Sequence, residues 1–198
     1  MDDLLTQDRD RLELFKRHGY DIPKARKFIL AKAGILNGTT LEVGTGRGHM
    51  VVVLAKNGLR VVSIDLDRKA QKAAILKLKS LQLDQFVSLK NMNAERLKYK
   101  DNSFDSVISV NFIHHAQSPA KCLKEMARVT KKKLIIADLN KRGEKIMEKV
   151  HALDGHKHAA SKMSMRLVKL FLKKLGMVVR TYRDVCQVVL IAEKRRIR

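Results

Sequence analysis

Leu41-Glu42-Val43-Gly44-Thr45-Gly46-Arg47-Gly48 is the stretch on which the reading of this 198-residue chain turns. A β-type run, Thr39 to Val43, leads into glycines at alternate positions, and a helix-compatible run, His49 to Asn57, follows. Glycine takes positive φ and carries no Cβ, so a glycine-rich turn lets backbone approach a ligand closely. A helix starting there points its free N–H groups at whatever sits in front of it. The pattern is that of a nucleotide-type site at the carboxyl end of a first strand.

The next strand narrows the ligand. Arg60–Ile64 reads as strand two, and Asp65 follows it roughly 20 residues past the glycine loop, where a carboxylate accepts from ribose hydroxyls. That spacing also fits a dinucleotide enzyme, but the loop does not: the GxGxxG fingerprint wants glycine where His49 stands. Glu42 also precedes the first glycine by two positions, and a second carboxylate would repel a pyrophosphate. The pair suits a nucleoside that bears an ammonium group and no phosphate.

Further out, helices and strands alternate. Residues 2–18 form an amphipathic helix broken at His18-Gly19-Tyr20, and Asp21 caps a second helix with Pro23 in its first turn. Residues 68–82 are helical, Phe86–Leu89 is a third strand, Phe104–Val110 a fourth, Ser118-Pro119 opens a helix to about Thr130, and Leu134–Ala137 is a fifth strand. That last run is apolar without alternation, as in a strand buried on both faces. Lys141–Leu153 reads as helix, Leu167 to Leu175 marks another, and Val178–Tyr182 with Val185–Ala192 forms a terminal hairpin. The expected fold is α/β: a Rossmann-like, doubly wound, mostly parallel sheet of about seven strands with a C-terminal antiparallel hairpin and an N-terminal helical cap. One domain is expected over residues 1–198, comprising a helical cap (1–36), a cofactor-binding core (37–140), a lid-like segment (141–163), and a terminal helix with hairpin (164–198).

Four segments in order carry a resemblance. Glu42-Val-Gly-Thr-Gly-Arg-Gly48 resembles motif I of class I S-adenosylmethionine-dependent methyltransferases, and Ser63-Ile-Asp65-Leu66 their strand-two ribose motif. Asn93-Ala94-Glu95 with Asp101-Asn-Ser-Phe-Asp105, and Ile108-Ser-Val-Asn111-Phe-Ile-His-His115, resemble later segments of the type 11, or UbiE-like, branch. The resemblance covers roughly residues 25–140. It implies S-adenosylmethionine as cofactor, S-adenosylhomocysteine as product, and in-line transfer of a methyl group to a small-molecule acceptor. It implies that Gly44, Thr45 and Gly46 pass under the methionine and ribose and that Glu42 helps orient the amino end. Asp65 would hold the ribose hydroxyls, Leu66 would pack on adenine, Asn93 and Ala94 would meet the adenine edge, and Asn111 would lie by the methionine portion. The family usually has Asp at position 93, and Lys131-Lys-Lys133 replaces its Pro-Gly-Gly turn before strand five.

The sulfonium carbon is already activated, so alignment is the main requirement and a base is needed only for a protonated nucleophile. His114 and His115 are the candidates for base or substrate contact, with helix-start packing as the alternative role. Tyr20 and His156 are candidate substrate contacts. His151, Asp154, His156 and His158 match no standard metal spacing, so no metal is expected. Cys122 and Cys186 are read as core residues, with neither a disulfide framework nor a metal pair. The formal charge of +22, from 42 basic and 20 acidic residues, favours anionic partners and keeps nucleic acid open as a partner. Two alternatives therefore stand beside the small-molecule enzyme: an RNA or protein methyltransferase using the basic surface, and a non-catalytic cofactor-binding subunit. No apolar run reaches the roughly 20 residues of a membrane span. The mixed, acidic N-terminus is read as neither signal nor transit peptide, and a cytoplasmic setting is expected. Oligomeric state is left open.

Overall fold

The computed structural model describes residues 2–153 and 163–194. Seven strands form one sheet: β1 (Thr40–Val43), β2 (Val61–Asp65), β3 (Val87–Asn91), β4 (Phe104–Val110), β5 (Thr130–Leu139), β6 (Met177–Arg183) and β7 (Gln187–Lys194). Their order is β3-β2-β1-β4-β5-β7-β6. Pairs from β3 to β5 are parallel, and β7 runs antiparallel to both its neighbours. The chain leaves β1 towards β2 and β3, then returns to β1's other side as β4. This reversal opens a crevice at the carboxyl ends of β1 and β4, where open α/β sheets bind ligands.

Helices cover both faces. α2 (Ile22–Ala33), α3 (His49–Lys56) and α4 (Arg68–Ser80) bury Ile29, Val51, Leu54 and Leu78 against Ile108 and Ile135. α5 (Pro119–Val129) and α7 (Met165–Lys174) bury Leu123, Met126, Val168 and Leu172 against Val107, Leu134 and Ile136. Successive residues of a strand point to opposite faces. Leu134, Ile135, Ile136 and Ala137 are therefore apolar without alternation because both faces are covered. A third cluster joins α1 (Asp2–Arg17), α2 and α6 (Lys141–Leu153) through Phe15, Tyr20, Ile22, Ile146, Met147 and Val150.

Local chemistry sets the helix ends. The Asp21 carboxylate accepts from Lys24 N at 2.9 Å to start α2. Asp67 accepts from Lys69 N and Ala70 N at 2.8 and 3.0 Å to start α4. One junction differs from expectation: Lys131-Lys132-Lys133, expected to precede strand five, lie inside β5, which begins where α5 ends. The Thr130 hydroxyl donates to Met126 O at 2.6 Å, closing the helix as the strand starts, and Lys133 pairs in register with Glu193. Strand three also starts one residue late, because Phe86 ends a 3-10 turn.

Asn140 ties three elements together. Its side-chain oxygen accepts from Arg142 N and Gly143 N at 3.0 Å each, capping α6, while its amide donates to Asp184 O and Val185 O. The first turn of α6 thus lies on the turn between β6 and β7, and a Cβ on Gly143 would sit 2.1 Å from Cys186 O. A backbone carbonyl cannot swing aside as a side chain can. Gly143→Ala is expected to cost about 3 kcal/mol, lowering the thermal midpoint by about 6–12 °C. A melt within a degree or two of the parent would show that the α6 contact yields freely.

Candidate functional site

The glycine loop is tied to the second strand before any side chain is considered. Gly44 N and Thr45 N both donate to Ile64 O, at 2.9 and 3.1 Å. Gly46 N donates to Asp65 Oδ2 at 2.7 Å, and Asp65 Oδ1 accepts from Asp67 N at 2.9 Å. Gly44 has φ of 91°, and a Cβ there would meet the Phe112 side chain at 2.9 Å, so the loop needs glycine twice over.

Beneath the loop lies a buried polar chain. Thr45 Oγ1 and Ser63 Oγ are 2.6 Å apart, and the Ser63 hydroxyl donates to Glu42 Oε2. Glu42 is only 1% exposed. Burial pushes its carboxyl up to about 8, and the charge of Asp65 adds to this. The Ser63 hydrogen bond and the Arg26 guanidinium act in the opposite direction.

The opposite wall comes from the end of β4 and from α2. Asn111 holds a left-handed φ of 52°, and its backbone N–H donates to Ala137 O at 2.9 Å. A non-glycine residue in that region is sparsely populated, and such residues cluster at ligand sites. Asn111 Nδ2 and Arg26 Nη1 both donate to the Tyr20 hydroxyl, at 3.2 and 3.1 Å. Asn111 Oδ1 and Arg26 Nε, both buried, have no hydrogen-bond partner among the described residues.

Beyond Asn111, a single-turn 3-10 helix, Ile113–His115, carries the two histidines. His114 is buried and His115 exposed, with ring centroids 3.9 Å apart. Asp138, at the carboxyl end of β5, holds His114 by two contacts: Oδ2 accepts from its backbone N at 3.1 Å, and Oδ1 lies 2.5 Å from Nδ1. On the other side, α1 is pinned through Asp8, which is 3% exposed. Its carboxylate accepts from Lys77 Nζ at 2.6 Å, with Arg47 at 3.8 Å. Burial, together with the cations Lys77, Arg26, Arg47 and Arg11, holds His49 well below its usual range. Its 3.5 Å approach to Asp8 is therefore not an ion pair, and Lys77 carries the contact.

Glu42, Gly44, Thr45, Gly46, Asp65, Leu66, Asn93, Ala94, Asn111, His114 and His115 all line one cavity of about 720 Å³. Leu66 is 61% exposed on its wall, and Asn93 Oδ1 accepts from Glu95 N at 2.8 Å. Tyr20, expected to contact substrate, does not line the cavity. It is 2% exposed, its hydroxyl engaged by Arg26 and Asn111. His156, with Asp154 and His158, lies outside the described residues. Among the described residues no group of three or more His, Cys, Asp or Glu could hold a metal ion. Cys122 borders the cavity, but burial pushes its thiol up to about 11, which leaves it a poor nucleophile. No described helix is long and apolar enough to cross a membrane.

Two site residues escaped the sequence reading. Arg26 sits on the buried stripe of α2, with Ile22, Ala25, Ile29 and Ala33. A cation on an apolar stripe was the available signal. Asp138 ends an apolar strand on the side where open sheets carry their sites, and an acid in that place was the corresponding signal.

Residues 41–137 match the family model Methyltransf_11, described as a methyltransferase domain. The phosphatidylethanolamine N-methyltransferase of Cereibacter sphaeroides is 29% identical over 107 residues, 54% of this chain and 52% of that protein. The ubiquinone/menaquinone biosynthesis C-methyltransferase UbiE of Rickettsia prowazekii is 34% identical over 104 residues, 48% of this chain and 41% of that protein. The chain thus spans about half the length of the curated relatives it matches. In fold it is similar to a SAM-dependent methyltransferase from Aquifex aeolicus, with a TM-score of 0.67 at 23% identity, covering 86% of this chain and 89% of that one. Over residues 41–137 the chain is thus similar to class I S-adenosylmethionine-dependent methyltransferases of the type 11 branch, and its sheet shares their fold.

Proposed function

We propose that this chain binds S-adenosylmethionine and transfers its methyl group to a small-molecule acceptor. One observation carries the reading: the Asp65 carboxylate and the buried Glu42 carboxyl flank a glycine loop on one cavity, where Asp65 repels phosphate and Glu42 can give up its proton to face an ammonium group. S-adenosylmethionine supplies an electrophilic methyl on a sulfonium sulfur. Asp65 accepts from the ribose hydroxyls, Leu66 covers one face of the adenine, and Asn93 and Ala94 meet its edge. At the amino-acid end, Arg26 Nε pairs with the carboxylate, while Asn111 Oδ1 and Glu42 face the ammonium. Both unpartnered buried atoms then gain partners, which removes the cost of leaving them bare. Gly44, Thr45 and Gly46 run beneath the methionine and ribose.

Phe15, Ile22 and Met147 give the remaining cavity apolar lining, and His114 and His115 line the same cavity. An acceptor with an apolar body and one polar reacting atom fits that lining. The protein's contribution is alignment of that atom behind the methyl carbon and exclusion of water. Calorimetry with S-adenosylhomocysteine and, separately, NAD tests the reading. Binding of the first and not the second is expected; silence at millimolar S-adenosylhomocysteine, or preference for NAD, overturns it.

A further inference from the structure

The contact between β5 and the histidine turn carries the reading of this site further. Asp138 Oδ1 accepts from Leu139 N at 2.8 Å, and Oδ2 accepts from His114 N at 3.1 Å. Both carboxylate oxygens thus already face backbone donors, so in the Nδ1···Oδ1 contact the ring is the donor. The proton then sits on Nδ1, and Nε2 is the nitrogen with a lone pair. Oδ2 fixes the backbone of the same residue, so ring and main chain are held by one side chain. The His115 ring lies against the His114 ring, centroids 3.9 Å apart, and His114 lines the same cavity as Asn111.

We infer that His114 is the general base for a hydroxyl acceptor, an alcohol or phenol, and that Asp138 is the residue that positions it. The inference rests on the methyltransferase reading and adds the acceptor's chemistry. A neutral amine or a thiolate attacks a sulfonium methyl with its own lone pair and needs no base in that step. A hydroxyl does need one. In the step, His114 Nε2 takes the hydroxyl proton as the oxygen–carbon bond forms. The sulfur–carbon bond breaks with its electron pair staying on sulfur. The products are a methyl ether, the neutral thioether and a protonated imidazole, which passes its proton to solvent. Asp138 places a negative charge against the ring that becomes positive, the arrangement of a histidine–carboxylate pair in acyl-transfer enzymes. Phe15, Ile22 and Met147 would hold the body of the acceptor.

Three measurements on the full chain test it. In protein labelled with ¹⁵N-histidine, His114 is expected as the Nδ1–H tautomer, and Asp138→Asn is expected to change it, because the asparagine amide can donate to Nδ1. An Nε2–H tautomer in the parent overturns the positioning role. Second, radiolabelled S-adenosylmethionine is offered to a panel of phenols, alcohols, amines and thiols. Transfer to a hydroxyl is expected, falling by about 100-fold or more in kcat for His114→Gln and Asp138→Asn with little change in KM. Third, S-adenosylhomocysteine and methyl iodide are incubated with the enzyme. The thioether sulfur displaces iodide to form the sulfonium, and no proton moves. If this reaction runs in the parent while the panel shows no hydroxyl transfer, or transfer only to amines or thiols, the acceptor assignment is overturned and the cofactor reading stands. If S-adenosylhomocysteine neither binds nor reacts, the cofactor reading itself has failed.

Discussion

Asp65→Ala is expected to weaken S-adenosylhomocysteine binding by about 3 kcal/mol, a little over 100-fold in Kd. The figure stands at the upper end for a charged hydrogen-bonding group because Asp65 serves the site twice. In the proposed complex it supplies the acceptor for the ribose, and through Oδ2 it holds Gly46 N at 2.7 Å, fixing the glycine loop. Alanine removes both, and frees Asp67 N as well, from which Oδ1 accepts. Asp65→Asn keeps one acceptor oxygen and is expected to lose about tenfold. Calorimetry on the three proteins separates the cases, with a thermal melt to exclude unfolding. Equal affinities for parent and Asp65→Ala would place the ribose elsewhere.

Glu42→Gln is expected to change the pH dependence of stability more than any other single substitution at the site. The Glu42 carboxyl has an ordinary value of 4.5 and is pushed up to about 8 in the fold, chiefly by burial. Between those values the folded chain keeps a proton that the unfolded chain has released. Stability therefore falls as pH rises from about 4.5 to about 8 and levels off above it, by at most about 5 kcal/mol. Glutamine has no such proton. Urea melts of parent and Glu42→Gln should coincide near the lower pH and diverge towards the higher one, with the variant the more stable. The difference between the two proteins cancels the other titrating groups. Binding of an ammonium-bearing ligand should draw that proton off Glu42. The calorimetric heat of S-adenosylhomocysteine binding should then depend on the buffer for the parent and not for Glu42→Gln. Parallel stability curves across this range would mean that Glu42 is charged in the unliganded fold.

What could be read from the sequence follows from which interactions are local. The glycine loop, Asp65 and the strand–helix alternation are written in consecutive residues, and the sheet places them as expected. The amino-terminal half of β5 was not legible. Lys131 and Lys132 are exposed, and pairing with β7, at Lys133 and Glu193, extends the strand beyond its apolar run. Arg26 and Asp138 were missed for a related reason. Each matters through a partner that the chain brings near only by folding: Asn111 by way of Tyr20 for the first, His114 for the second. The pair His114-His115 was visible as a motif. Which of the two faces inward depended on a carboxylate from another strand.

The position of β7 between β5 and β6 has a consequence for synthesis. Leu134-Ile135-Ile136 belong to a strand whose second edge is taken by Leu190, Ile191 and Ala192, in the last strand of the described chain. Until that strand leaves the ribosome, the nascent sheet ends at an apolar, unpaired edge, the kind of surface that recruits other chains. The first turn of α6 rests on Cys186, just before β7, so the side of the cavity that α6 lines must wait for the same event. The strands around the glycine loop, β1, β2 and β4, can pair earlier, from segments that precede β5. The glycine-loop side of the cavity is therefore expected to form first, and the α6 side only with closure of the sheet, a late and non-local step.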